Sequence, residues 1–281
     1  MIVVADSGST KTDWILVDKN RVPKSLSSIG LNPWHHSAET ITNTVKGTFS
    51  EDDISMVTEV YFYGSGSSTD DKKKIVYHAL KLVFKNANVN VEHDLIASAI
   101  ACCGDAEGLA CILGTGSNIC HWTGTQIEEQ VPFFGIGYIL GDEASGCYLG
   151  KQLIRDFLYC SMPSEISNKL KEGGLTKDII IEKVYSQKGA NVYLASFTYF
   201  IYENKHESYI TQLVLNSFDD FFKTHIIKFD KYQQIPVNFV GSIAFLFQDE
   251  LNSIANKYGV TVQTIIKQPI DNLMAFHLNK L

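Results

Sequence analysis

The chain reads as an α/β protein of two domains, each built on a mixed sheet. Three observations predict this. Strand and helix patterns alternate through the first half, and a second strand meander opens near residue 109. Each meander carries a short glycine-rich turn between its first two strands. The length, 281 residues, suits two domains of ordinary size. No Gly/Ser/Pro-rich linker separates the halves, so Gly104-Asp105 is read as a hinge, with domains over 1–105 and 106–281.

The apolar run Ile2-Val3-Val4-Ala5 reads as a strand. Residues 14–18 and 22–28 complete a meander, with a turn at Asp18-Lys19-Asn20. Helical spacing over Ser37–Phe49 starts at a good cap, Ser37. Val57–Tyr63 reads as a strand ending at Gly64, Asp70–Phe84 as an amphipathic helix, Val89–Val91 as a short strand and Leu95–Cys103 as a short helix. The second half opens with strands near 109–113, 117–123 and 127–131. Helices follow over 143–159, 163–172, 176–186, 190–202 and 205–228. Pro236–Val240 is a strand ending at Gly241. A helix near 243–257, a strand near 260–266 and a helix from Pro269 close the chain.

Hydrophobic residues make up 45% of the chain and charged residues 20%, enough apolar side chain for two cores. A net charge of −7 argues against nucleic acid or an anionic membrane as a partner. No run reaches membrane-spanning length, and Asp6 interrupts the first apolar run, so a cytoplasmic protein is expected. Six cysteines, none in a C-x-x-C pair, read as small buried hydrophobes in a reducing compartment. The histidines show no metal-ligand spacing.

The two turns are Asp6-Ser7-Gly8-Ser9-Thr10-Lys11-Thr12-Asp13 and Gly114-Thr115-Gly116-Ser117-Asn118. A glycine-rich turn can aim several backbone N–H groups at one anion. Neither is a P-loop, because both lead into strands and the lysine spacing is missing. Asp94 follows a strand and precedes a helix. That suits a carboxylate at the sheet's carboxyl edge, where open α/β sheets bind ligands, and equally a helix N-cap. Asp142-Glu143 stands before a helix, where acidic side chains favour the helix dipole whatever their function. Trp34 reads as core.

The order and spacing of Asp6–Asp13, Gly30-Leu31-Asn32-Pro33-Trp34, Gly64-Ser65-Gly66, Asp94, Gly114–Asn118, Gly135–Ser145 and Val240-Gly241-Ser242 resemble the actin-like ATPase superfamily. Within it the chain resembles the N-acetylglucosamine kinase-like group, related to the activator ATPases of 2-hydroxyacyl-CoA dehydratases. The resemblance covers nearly the whole chain. It implies two ribonuclease H-like domains with mixed five-stranded sheets flanked by helices, and ATP in the cleft between them. It makes Asp6 the Mg²⁺ residue, and Gly8, Ser9, Thr10 and Lys11 the first phosphate contacts, mainly through backbone N–H. Lys11 also reads as a solvated surface lysine. Gly114, Thr115 and Gly116 become the second phosphate grip, with Asn118 as a turn former. Asp94 becomes the catalytic base. Asn32, Ser65, Gly66, Gly137, Tyr138 and Asp142, with Asp94, become the sugar site. Gly241 and Ser242 resemble the adenosine motif, with Ala195-Ser196 across the same slot. Ile136 replaces a Trp and Tyr138 a His of better-studied relatives, and Asn272 stands where Gly is usual in the last helix. The zinc-binding cysteine cluster of glucokinase-type enzymes is absent.

What the resemblance implies is ATP-dependent phosphorylation of an amino sugar, most readily N-acetylglucosamine at its 6-hydroxyl. A homodimer is one assembly this reading allows. An activator ATPase would instead need exposed thiolates for a shared [4Fe–4S] cluster, and Cys102, Cys103 and Cys120 have apolar neighbours. A non-enzymatic, ATP-gated sugar sensor would have no need of Asp94.

Overall fold

The computed structural model describes residues 1–8, 10–128 and 135–280. They form two units: Met1–Asp105 with Gln268–Leu281, and Ala106–Lys267.

In the first unit, β1 (Ile2–Ser7), β2 (Lys11–Val17) and β3 (Pro23–Ile29) make the antiparallel meander. The outer strand β3 is mostly exposed, and its Pro, Lys and Ser residues suit an edge. Two helices follow, α1 (Ala38–Thr48), capped by Ser37, and α2 (Glu51–Met56), capped by Ser50. Then come β4 (Glu59–Gly64), α3 (Asp70–Val83), β5 (Asn88–His93) and α4 (Asp94–Cys103). The sheet order is β3-β2-β1-β4-β5, with β1, β4 and β5 parallel. Val3, Ala5, Trp14, Leu16 and Phe62 bury one face of this sheet in the core, together with Leu80 and Phe84. Trp14 and Phe49 meet edge-on at 5.3 Å, as do Phe49 and Phe84, the arrangement aromatic quadrupoles favour. The helix α2 was not anticipated. Six residues hold too little apolar periodicity, although the Ser50 cap and three acidic residues in its first turn were visible.

The second unit repeats the plan. β6 (Gly108–Leu113), β7 (Ser117–Trp122) and β8 (Ile127–Glu128) are an antiparallel meander, and the expected strand tail at 129–131 lies outside the described residues. Helices α5 (Gly146–Leu158), α6 (Ser164–Glu172), α7 (Lys177–Ile181), α8 (Ala190–Ser196), α9 (Thr198–Glu203) and α10 (Ser208–Thr224) follow. β9 (Val237–Val240), α11 (Ser242–Leu246), α12 (Gln248–Lys257) and β10 (Val262–Ile266) complete it. The sheet order is β10-β9-β6-β7-β8, with β6, β9 and β10 parallel. All of β9 is buried, as befits a parallel strand with neighbours on both sides. Two expected helices are each broken in two, 190–202 at Phe197 and 243–257 at Phe247.

The last helix, α13 (Ile270–Asn279), corrects the domain range 106–281. It buries Ile270, Leu273, Met274 and His277 and packs on α4, β1 and β2 of the first unit. Its apolar stripe needs a sheet face, and Asn272 Nδ2 donates to Ala101 O (2.8 Å), tying it to the end of α4. The residue that departs from the family pattern thus makes a local bond. Among the cysteines, Cys111, Cys120 and Cys147 are buried as expected. Cys102 and Cys103 are half-buried and Cys160 is exposed, which corrects the uniform burial reading. Among the described residues no helix is long and apolar enough to cross a membrane.

Candidate active site

In the first unit the parallel register sets Ser7, Gly64 and His93 side by side at the carboxyl ends of β1, β4 and β5. The residues that follow them, Gly8, Ser65 and Asp94, therefore leave the sheet at one edge, where open α/β sheets bind ligands. Ser7 organises this edge. Its backbone O accepts from Ser65 N (2.8 Å), and its Oγ accepts from Leu31 N (2.9 Å) and lies 2.8 Å from Thr12 Oγ1. Thr12 Oγ1 donates in turn to Ile29 O (2.9 Å). Ser7 and Thr12 are fully buried, and no sequence reading singled them out. Their only signal was two short polar residues facing each other across a hairpin.

Asp6 and Asp13 are cross-strand partners, so two carboxylates sit opposite one another. Burial pushes the Asp6 carboxyl up to about 7, and the charges of Asp94 and then Asp13 push the same way. Lys11 Nζ pairs with Asp13, so it is a surface lysine with an intramolecular partner. Asp94 is also raised, chiefly by burial, while His93 and backbone N–H bonds oppose the shift. His93 Nδ1 lies 3.2 Å from Asp94 Oδ1. The N-cap of α4 is His93, whose side chain accepts from Leu95 N (3.3 Å), so the cap reading of Asp94 falls.

Asn32 is buried, and its Oδ1 accepts from Trp34 N (2.9 Å), while its Nδ2 has no protein partner among the described residues. Gly66 packs on this turn. A Cβ there would stand 2.3 Å from Asn32 Oδ1, and its φ is +81°, so two constraints demand glycine. Trp34 is 61% exposed, with Lys72 Nζ 4.0 Å from its ring centre, which overturns its reading as core. Its flat face is given to a cation and to solvent.

Both glycine turns close on themselves. Gly8 N donates to Lys11 O (2.9 Å) and Gly114 N to Gly116 O (3.0 Å). The first glycine's N–H in each turn is thus bonded within the turn. Ser9 lies outside the described residues. Thr10 is exposed, and its carbonyl accepts from Gly30 N (3.0 Å). A Cβ on Gly114 would meet no protein atom within 4 Å, and one on Gly8 would meet only Lys11 O at 3.7 Å. Protein packing does not dictate glycine at either position, whereas a ligand lying against the backbone would.

In the second unit, α5 buttresses its glycine turn: Gly146 N donates to Gly114 O (2.8 Å) and Cys147 N to Thr115 O (3.1 Å). Ser145, not Asp142, caps α5, its side chain accepting from Tyr148 N. Asp142 instead lies on the turn itself. It takes a bond from Ser117 N–H, burial raises its carboxyl, and a Cβ on Gly116 would stand 2.8 Å from its Oδ2. Its φ of +62° is rare for a non-glycine residue. Tyr138 is half-buried, and its carbonyl accepts from Lys151 Nζ (3.0 Å), so Lys151 positions the 137–142 segment without having been anticipated. Gly137 is open, and Ile136 is half-exposed. Asn118 Oδ1 accepts from Ile119 N (2.9 Å), the turn-forming role expected of it.

Gly241 is also demanded by packing. A Cβ there would lie 2.2 Å from Leu113 O and 3.1 Å from Gly114 N, and φ is +129°. The space a Cβ would need is taken by the second glycine turn's own backbone. Ser242 then starts α11 without a side-chain cap. Ala195 and Ile243 both press on Gly146, which sets the α8 end near the start of α11. Ser196 is exposed, and its Oγ donates to Tyr193 O (2.7 Å).

Among the described residues no three or more His, Cys, Asp or Glu side chains form a metal-holding group. The fit for Mg²⁺ is of another kind. Asp6 is a desolvated carboxylate facing two more, a charge excess that a hydrated divalent cation would relieve, and Mg²⁺ characteristically keeps its waters and takes few carboxylates.

Compared with solved structures, the chain is 36% identical to a Porphyromonas gingivalis protein that carries the provisional name N-acetylglucosamine kinase. The match has a TM-score of 0.93 and covers 99% of both chains. A Chromobacterium violaceum protein with the same provisional name is 14% identical over 98% of each chain, at a TM-score of 0.63. A ROK family glucokinase from Streptomyces griseus, solved with glucose and AMPPNP, is 13% identical over 97% of each, at 0.56. These last two share the fold. No family model matches the chain, and no curated protein matches it. The two mixed five-stranded sheets, each flanked by helices, have the fold of the actin-like ATPase superfamily. Within that superfamily the chain belongs to the N-acetylglucosamine kinase-like family.

Proposed function

We propose that this protein phosphorylates an amino sugar with ATP, N-acetylglucosamine at its 6-hydroxyl in the first instance. The observation that carries the reading is the convergence of Asp6, Asp13 and Asp94 with Ser7, Asn32 and Gly66 at one sheet edge. Asp94 takes the proton of the attacking hydroxyl. Its desolvated carboxyl, held at the start of α4 with His93 beside it, is poised to accept a proton once the hydroxyl is aligned. Asn32 Nδ2, Ser65 and Asp94 present hydrogen-bonding groups to the sugar, and Gly66 keeps that surface bare of side chain. In the second unit, Asp142 braces the 114–116 turn, and with Gly137 and Tyr138 it matches the sugar-contacting stretch that the family resemblance implies. Thr10, Lys11, Thr115 and Gly116 contact phosphate oxygens, and the uncrowded Gly8 and Gly114 let them approach. Gly241, Ser242 and Ser196 belong to the adenosine side.

Asp6 would hold Mg²⁺ through water, and the cation would neutralise charge on the transferring phosphoryl group. The relative of 36% identity that bears the kinase name also supports the reading. An ADP-release assay over N-acetylglucosamine, N-acetylmannosamine, glucosamine, N-acetylmuramic acid and glucose tests the reading. Turnover with one amino sugar well above the sugar-free rate is expected. Equal ADP release with and without every sugar would overturn it.

A further inference from the structure

Helices α5 and α10 face one another across a cavity of about 480 Å³ that no part of the proposed reaction uses. Each helix gives it one stripe at helical spacing: Tyr148, Gln152 and Asp156 from α5, and Tyr209, Asn216 and Ser217 from α10. Two Tyr–Asp bonds close its ends. Tyr148 OH donates to Asp220 Oδ2 (2.8 Å), and Tyr209 OH donates to Asp156 Oδ2 (3.0 Å). Between these rungs the lining is neutral and mixed. Gln152 bonds to Tyr148, and Gln212 Nε2 donates to Asn216 Oδ1 (2.8 Å), which leaves the Asn216 amide nitrogen and the Gln212 carbonyl to the cavity. Ser217 backs this wall, and its hydroxyl is sealed from solvent, so the polar groups that a ligand meets are those of Gln152, Gln212 and Asn216.

From this lining we infer a second binding site, for a neutral polyhydroxylated molecule of monosaccharide size. The chemistry decides the class. A cation would require acceptors alone and an anion donors alone. Here donors and acceptors alternate, and hydroxyl groups are the ligand groups that are both. The one guanidinium of the lining, that of Arg155, lies against Asp156 Oδ1 (3.2 Å from both Nε and Nη2), which offsets its charge. Tyr148, whose ring Lys151 Nζ covers on one side at 5.2 Å, and Tyr209 add apolar surface for the C–H side of a sugar ring. The volume falls within the usual range for small-molecule sites, about 300–1,000 Å³.

Titration calorimetry of the whole protein tests this, with N-acetylglucosamine, glucose and myo-inositol as neutral probes, and glycerol 3-phosphate and putrescine as charged ones. Asn216 and Gln212 are exposed at the cavity wall, so Asn216→Trp and Gln212→Trp fill it without touching the core. The expected result is a binding event with at least one neutral probe that weakens at least tenfold in both variants, while ATP-dependent turnover is unchanged. Asp94→Asn should cut turnover by roughly 10²–10⁴-fold and leave that event intact, so loss of the phosphotransfer reading, on which this inference does not depend, and loss of this one are separable. No cavity-dependent event with any neutral probe would overturn the proposal. Tighter binding of either charged probe would do so too. A change of oligomeric mass in the Trp variants would show the face to be an interface between copies, which also overturns it.

Discussion

Asp6 carries two consequences that pull apart. Its carboxyl sits near 7 against 3.8 for a free aspartate, so the folded protein holds a proton there that the unfolded chain releases. The cost is absent below about pH 4, grows as pH rises, and is complete above about 7. His277 works in the opposite sense. It is stacked on Tyr61 at 3.7 Å, bonded to Tyr63 OH at 2.9 Å, and lowered from 6.5 to about 4 by burial and by Lys280. Its contribution is complete above 6.5 and is lost as pH falls toward 4. Asp6→Asn should therefore raise Tm at pH 8 by about 2–4 °C per kcal/mol of relieved repulsion. It should leave Tm unchanged at pH 4, and weaken the Mg²⁺ dependence of turnover. A Tm series from pH 4 to 8 checks it, and an equal shift at both ends would refute the titration argument. Asp94→Asn should cut kcat by roughly 10²–10⁴-fold with little change in sugar affinity, because a base acts mainly in the transition state. Since His93 and not Asp94 caps α4, and burial raises the Asp94 carboxyl as it does that of Asp6, that variant should not lower Tm and should raise it at pH 8. The charged members of this site were legible in the sequence, because carboxylates after strands stand out. Ser7, Thr12, His93 and Lys151 were not, because their roles depend on which backbone atoms the register sets beside them.

The glycines separate ligand demands from packing demands. Gly114→Ala meets no protein atom and an ordinary φ, so its Tm should match the native protein. If nucleotide phosphate lies against that turn, KM for ATP should nevertheless rise at least several-fold. Unchanged KM would remove the turn from the site. Gly150 shows the contrary case. A Cβ there would stand 1.9 Å from Leu194 O, where α5 and α8 cross backbone to backbone. Gly150→Ala should destabilise the second unit by about 1–3 kcal/mol, the usual range for overpacking, read as a lowered denaturation midpoint. The meanders and most helices were legible from period and caps. The breaks at Phe197 and Phe247 were not, because the apolar pattern runs straight through them while the backbone turns a corner.

Two sheets of the same build, each opening on a glycine turn, could be read from the sequence because the repeat is in the local pattern. The destination of α13 could not. An amphipathic helix states that it needs an apolar face and not which one, and sequence proximity pointed to the wrong unit. Truncation after Lys267 should therefore expose α4, β1 and β2 while sparing the second unit. Hydrogen exchange should speed up in the first unit alone, and equal loss of protection in both would contradict that division. The second unit is one uninterrupted stretch, inserted into the first. On the ribosome, the unit begun first must wait for its final helix until the other has been made in full. The order of completion is thus the reverse of the order of synthesis, and the nascent chain carries an open, apolar sheet face through most of its translation. For this protein, a chaperone that shields the emerging amino-terminal half would matter more than one that acts on the released chain.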